Sequence, residues 1–475
     1  MNAQLQPRTA DFHLLIGGKL VAGASTFDVI NPATEKPVAA CPRADLAQLD
    51  QAVAAAKAAF PAWSATPLAE RAKLLNKLAD AIDARAPELA PLLTQEQGKP
   101  LGGAFYEVMI AAGNIRGFTA MDLPETVLQE DAQSRVIRQR LPLGVVAAIT
   151  PWNFPLIMAV TKLAPALLAG NTVVLKPPPT TPLTTLRLGE LCAQIFPAGV
   201  VNVITDVNDL GNALTSHPDV AKIAFTGSTA TGRKVMASAA TTLKRLTLEL
   251  GGNDAAIVLD DVDPQEIAPK LFFAAMVNSG QVCLAAKRIF VPESIYDAVC
   301  AELGKLAAAA KVGNGLEEGV EFGPVQNRMQ FDKVRAIVED ARAQGQIIAG
   351  GEPHQGPGFF IHPTIVSGLP DSARLVCEEQ FGPVMPVLKY KTLDEAIARA
   401  NSTEYGLGGT VWSKSTERAV EVARRLHTGT VWINKHLDLP PSVPYGGVKQ
   451  SGFGVELGQQ GLEEFTQLRI LNVAK

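Results

Sequence analysis

The chain is poor in the features that would mark several common classes of protein. Its five cysteines (41, 192, 283, 300 and 377) are odd in number, lie far apart and form no CxxC pair. They provide neither a disulfide framework nor a thiolate zinc site, and they fit reduced thiols in a cytoplasm. The six histidines are scattered without an HExxH, so no metal site is expected. No block of lysine or arginine interrupts the 475 residues, and the net charge is -4, so a nucleic-acid partner has no electrostatic footprint. The most apolar stretch, 156–170, contains Lys162 and Pro165 and is too short for a membrane span. The first residues, MNAQLQPRTADF, lack the basic and apolar regions of a secretory leader.

Apolar residues make up 47% of the chain, and its length exceeds what one core usually supports, so two or three units are expected. Residues 44–119 repeat apolar positions every three or four residues and read as helices. From 141 onward, LGVVAAIT, TVVLKP, VVNVIT, AKIAFTG and AAIVLD are short β-branched runs separated by helical stretches, the pattern of a buried parallel sheet. A second alternation starts near 265, with KRIFVP, PVMPVLKY and GTVWIN as its strands. The polar, alternating segment 123–144 reads as a hairpin, and EEFTQLRILNV as a terminal strand. Both are edges of the kind a partner subunit usually covers, although a local sheet in a monomer fits them too.

Four local features have chemical potential, and each also has a purely structural explanation. Cys283 follows Asn278-Ser279-Gly280, where small residues admit a ligand; most buried cysteines are only small hydrophobes. Glu249 lies between leucines before Gly251-Gly252, and burial there would raise its pKa toward that of a general base. Asn153 sits on the turn TPWNFP, fixed by two prolines, and is placed to donate to an oxyanion or simply to its own turn. Gly227 and Ser228 open a helix after a buried strand, a geometry that presents N–H groups to phosphate. The segment is not the phosphate loop of nucleotide triphosphatases, because Arg233 and Lys234 follow Gly232, and no GxGxxG is present.

TPWNFP, Lys176-Pro177, FTGST, LELGG, GQVC, EEQFGP and PYGGVKQSGFG follow one another in this order. In this the chain resembles the aldehyde dehydrogenase superfamily over essentially its whole length, in the hydrolytic branch that uses a nicotinamide cofactor. The resemblance implies an α/β fold. Residues 1–122 and 142–253 would form a Rossmann-like cofactor domain and 254–458 a second α/β catalytic domain. Residues 123–141 and 459–475 would form a small β oligomerisation flap of a homodimer or homotetramer. Cys283 would attack the aldehyde, Asn153 and the Cys283 amide would hold the oxyanion, Glu249 would activate water, and Lys162 would serve in proton relay. Trp152, Lys176, Gly227, Ser228, Glu379, Phe381, Pro197 and Gly199 would contact the cofactor, with Lys176 at the adenosine ribose and Pro197 and Gly199 at the adenine. Phe154, Met158, Thr161, Val282, Leu284 and His436, with Asp438, would line a mostly apolar pocket for a neutral aliphatic or aromatic aldehyde.

Glu249 separates this branch from relatives that pass the acyl group to coenzyme A, which is the runner-up activity; a non-catalytic structural protein on the same fold is the other alternative. Four positions depart from the common pattern. Pro179 stands where NAD-preferring relatives often place a glutamate, so NAD is expected and NADP is left open. Val455 replaces an arginine next to the retained Glu456. Thr161 and Ala285 replace, respectively, an aromatic residue common in betaine-aldehyde enzymes and a second cysteine common in succinate-semialdehyde enzymes.

Overall fold

The computed structural model describes residues 12–475. The start of the first expected domain and the N-terminal stretch read for a leader fall on residues 1–11, outside the described ones.

Two sheets dominate the architecture. The first contains five parallel strands in the order Arg245–Glu249, Val220–Thr226, Val145–Ile149, Thr172–Lys176, Val201–Val203, extended by antiparallel edges at both ends. Every residue of Val145–Ile149 and Thr172–Lys176 is buried, as expected for β-branched strands covered on both faces. The second sheet runs Gln346–Ala349, Thr364–Ser367, Val384–Tyr390, Ala286–Pro292, Asp254–Val258, Gly408–Trp412, Thr430–Ile433, all parallel except the first. AAIVLD therefore continues the first alternation in sequence but belongs to the second sheet. Only Leu250–Asn253 separate the two sheets at that point, so Glu249, at the carboxyl end of its strand, adjoins the amino end of Asp254–Val258.

The helices Leu46–Ala65, Leu68–Ala84, Ala86–Gln97 and Leu101–Thr119 fill the segment read as helical. The helix Pro155–Leu168 starts with proline in its first turn, where a missing N–H costs nothing, and is buried on nearly all sides. Its single charge, Lys162, must therefore find a partner inside the protein.

The hairpin Thr126–Glu130 and Ser134–Pro142 does not leave the terminal strand on its own. Thr466–Ala474 pairs antiparallel with Ser134–Pro142 along its whole length, giving one three-stranded sheet with Leu468, Ile470, Val127 and Leu128 exposed. The segment before it also differs from expectation. Gly452–Phe453, counted with the second unit up to 458, pairs with Glu249 and Leu248 at the edge of the first sheet.

Candidate active site

The loops after Val145–Ile149 and Val220–Thr226 lie at the carboxyl ends of neighbouring parallel strands. There the strand order reverses, because the chain moves outward on one side and then returns to the other. Such a switch point is where open α/β sheets bind ligands. The first loop carries Trp152 and Asn153 and the second Gly227 and Ser228. Lys176 ends the adjoining strand and Glu249 ends the strand beyond Gly227.

The Cys283 turn reaches the same place from the second sheet. After the helix Pro264–Met276, residues Asn278, Ser279 and Gly280 all take left-handed backbone angles, and the chain then enters Ala286–Pro292. A Cβ on Gly280 would stand 2.3 Å from the Gly382 carbonyl oxygen, so the position requires glycine. Lys287 Nζ donates to the carbonyls of Val282 (2.8 Å) and Cys283 (2.6 Å), while Ser279 Oγ donates to Gly323 O at 2.8 Å. Asn153 Nδ2 donates to Gln281 O at 2.9 Å, tying the TPWNFP turn directly to the nucleophile turn. That turn is itself braced from behind. Lys99, paired with buried Glu107, donates to Asn153 O at 3.0 Å, and Glu107 accepts the Leu156 amide at 2.9 Å.

Cys283 is half-buried, whereas Cys41, Cys192 and Cys300 are buried. Burial pushes its thiol up to about 12; Lys287 opposes the shift, and the charges of Glu249, Asp254 and Glu379 add to it. Among the described residues its backbone N–H donates to no protein group.

Glu249 is buried, and its Oε1 has no hydrogen-bond partner. Burial and the nearby charge of Glu456 hold its carboxyl well above the ordinary carboxylate range, with Lys162 pulling the other way. Lys162 Nζ donates to Thr226 Oγ1 at 2.7 Å and forms a short ion pair with Glu456, whose other oxygen accepts from Tyr445 OH at 2.9 Å. Lys162 and Glu456 are 294 positions apart, so the sequence alone gives no sign of this network. Gly252 N donates to Glu379 Oε1 at 2.9 Å, and a Cβ on Gly252 would lie 2.6 Å from the Cys283 carbonyl, so the glycine pair lets three loops close on one another.

The other expected residues divide into those brought to the site and those placed elsewhere. The rings of Trp152 and Phe381 meet edge to face at 5.2 Å. Ser228 is exposed and caps the helix Thr229–Ala239, accepting from Thr231 N. By contrast, Pro197 and Gly199 precede Val201–Val203 at the amino end of the first sheet, opposite Lys176 and Glu249, and Gly199 packs on the Ala55 carbonyl. They cannot form an adenine wall at the switch point.

The pocket list changes as well. Val282 and Leu284 are buried in the core, and Leu284 lies against Gly408. Thr161 is also buried and accepts from Asn114 Nδ2 at 3.3 Å. The His436 ring contacts Leu284 O at 2.7 Å through Nε2 and meets Trp432 edge to face at 4.9 Å, and burial lowers its pKa to about 4, so it braces the loop as a neutral ring. Asp438 is exposed and pairs with Lys435. The half-exposed apolar side chains on this core include Phe154, with Lys99 Nζ 3.9 Å above its ring, and two that periodicity did not single out, Ile157 and Leu437. Met158 is half-exposed too.

The model of the Aldehyde dehydrogenase family matches residues 20–471. A phenylacetaldehyde dehydrogenase from Pseudomonas fluorescens is 41% identical, with 97% of this chain and 95% of that protein covered. The structure of a betaine aldehyde dehydrogenase from Staphylococcus aureus in complex with NAD+ is 34% identical, covers 97% of this chain and 94% of that one, and superposes with a TM-score of 0.94. An NADP dependent enzyme from E. coli is 36% identical, with coverage of 98% and 99% and a TM-score of 0.96. A glutamate and a cysteine at the seam of two α/β sheets, in a chain matched almost end to end, place this protein in the aldehyde dehydrogenase family.

Proposed function

We propose that the NAD(P)-dependent aldehyde oxidation characteristic of this family runs here through Cys283 and ends in a free carboxylic acid. One observation above all supports this: at the seam of the two sheets Cys283 lies within reach of the Glu249 charge, the first on a pinned turn and the second as a buried carboxyl with a vacant oxygen.

The Cys283 thiol gives up its proton to solvent and Sγ adds as the thiolate to the aldehyde carbon, the carbonyl electron pair moving onto oxygen. The developing oxyanion is held by the Cys283 N–H, which no protein group uses, and by the Asn153 hydrogen not engaged with Gln281 O. A dinucleotide fits the switch point, because Ser228 opens the helix Thr229–Ala239 toward solvent and Trp152 and Phe381 form an aromatic corner. When bound, oxidised nicotinamide supplies a hydride acceptor and a positive charge. Lys176 would reach the adenosine ribose and Glu379 the nicotinamide ribose. Deprotonated Glu249 takes a proton from the water that cleaves the Cys283 thioester, and Lys162 and Glu456 hold that proton's route in place.

The half-exposed Phe154, Ile157, Met158 and Leu437 favour a neutral aliphatic or aromatic aldehyde, a choice that the phenylacetaldehyde-oxidising relative supports. The exposed Leu468 and Ile470 on the three-stranded sheet support a homodimer or homotetramer, and five free thiols fit a cytoplasmic setting.

The deciding experiment is an aldehyde panel with NAD+ and NADP+, scored for free acid with and without coenzyme A. Free acid formed without coenzyme A is expected; acyl transfer that depends on coenzyme A would overturn the hydrolytic assignment. Cys283→Ala is expected to abolish turnover while dinucleotide binding survives, and turnover near the parent's would exclude the covalent route.

A further inference from the structure

We infer that Asp206, a residue outside every motif discussed above, sets the preference for a dinucleotide without a 2′-phosphate by neutralising Lys176. This rests on the reading of Lys176 as the residue at the adenosine ribose.

Lys176 ends the strand Thr172–Lys176, and Asp206 follows the neighbouring strand Val201–Val203 at the same, carboxyl, end of the sheet. Lys176 Nζ stands 2.6 Å from Asp206 Oδ1, and both side chains are buried, with relative exposures of 5% and 0%. The contact is an ion pair, and Oδ1 accepts no hydrogen bond from another group. The other oxygen, Oδ2, accepts the Leu210 amide at 3.0 Å, which fixes the carboxylate's position.

The stretch from Pro177 to Thr180 contains three prolines and a threonine, and so has no acid with which to balance the lysine. Without Asp206, Lys176 would present an uncompensated cation at a site shielded from water, where attraction for a phosphate is far stronger than in solution. With Asp206 in place the pair is neutral, and a 2′-phosphate gains nothing from it. Close by in sequence, Asp209 is likewise taken up by a cation, pairing with Arg43 at 2.5 Å. The discriminating carboxylate thus comes from the adjacent strand instead of the loop after the lysine. Because Asp206 is fully buried it acts through Lys176 and is a positioning residue, not one that touches the ribose.

Calorimetric titration of the full chain with adenosine 5′-phosphate and with adenosine 2′,5′-bisphosphate tests this without reference to turnover. The parent is expected to bind the bisphosphate no more tightly than the monophosphate. Asp206→Asn keeps an acceptor for Leu210 N and should tighten the bisphosphate by at least about tenfold, while the monophosphate changes by less than about threefold. Lys176→Met leaves the Leu210 contact untouched and should move the ratio the opposite way. In steady-state assays the Asp206→Asn effect should fall on the KM for NADP+ more than on kcat. An unchanged ratio in Asp206→Asn, with NAD+ still bound, would overturn the inference and leave the cofactor site standing. If neither variant altered the binding of either probe or of NAD+, the placement of Lys176 at the ribose would fall with it.

Discussion

The surroundings of Cys283 and of Glu249 solve different problems. The cysteine turn is held mostly by neutral backbone contacts: three consecutive left-handed residues, carbonyls clamped by Lys287, and the Asn153 amide on Gln281 O. No base is hydrogen-bonded to the thiol, and burial pushes its pKa up. The glutamate region is instead a buried set of charges, Glu249, Lys162 and Glu456, with Tyr445 hydrogen-bonded to the last. On the proposed mechanism Cys283 would be controlled by position and Glu249 by electrostatics, so damage to each should show up in a different half of the reaction.

The largest effect should follow Glu249→Gln. Steady acid formation is expected to fall roughly 10²- to 10⁴-fold, the usual contribution of a general base, while a first-turnover burst of reduced dinucleotide persists. A burst lost together with turnover would show that Glu249 also serves the first half. Asn153→Ala should do the reverse, slowing the burst itself by roughly 10²- to 10³-fold, as loss of one oxyanion donor does; rapid-mixing absorbance distinguishes the two variants.

Lys162→Met tests the electrostatic half more gently. The lysine lowers the Glu249 pKa and Glu456 raises it, so removing the cation drives the pKa higher still. A base works above its pKa, so the rising limb of kcat should move to higher pH; movement to lower pH would contradict the network. The smallest effect on catalysis is expected for Asp254→Asn. Burial raises Asp254 from 3.8 to about 7, so the folded state binds a proton more readily than the unfolded chain. Its contribution is complete below about pH 4 and is lost as the pH rises through about 7. That loss is worth on the order of 4 kcal/mol, and Asp254→Asn should flatten the fall of Tm across this window.

Much of this was legible before any coordinates. Buried strands and amphipathic helices leave local periodicities, and the order of seven short motifs points to Cys283, Glu249 and Asn153. What stayed hidden depends on side-chain direction or on distant pairing. Leu284 follows the nucleophile in sequence, yet the left-handed turn at Asn278–Gly280 sends it into the core. Thr161 neighbours Lys162 but faces Asn114. Pro197 and Gly199 are expected at a cofactor wall because PAGVVNVI resembles a family segment, but strand direction puts them at the other end of the sheet. Asp206 and Glu456 belong to no local pattern, since their partners come from other strands and helices.

The pairing of Gly452–Phe453 with the Glu249 strand has a consequence for biosynthesis. The strand beside Glu249 is supplied by a segment translated long after it, and so are Tyr445 and Glu456. A nascent chain that has already formed both main sheets still lacks the groups that tune Glu249. On the proposed mechanism, competence for thioester hydrolysis would wait until residue 456 has been added, and a chain stopped before residue 452 would lack the partners of Leu248, Glu249 and Lys162.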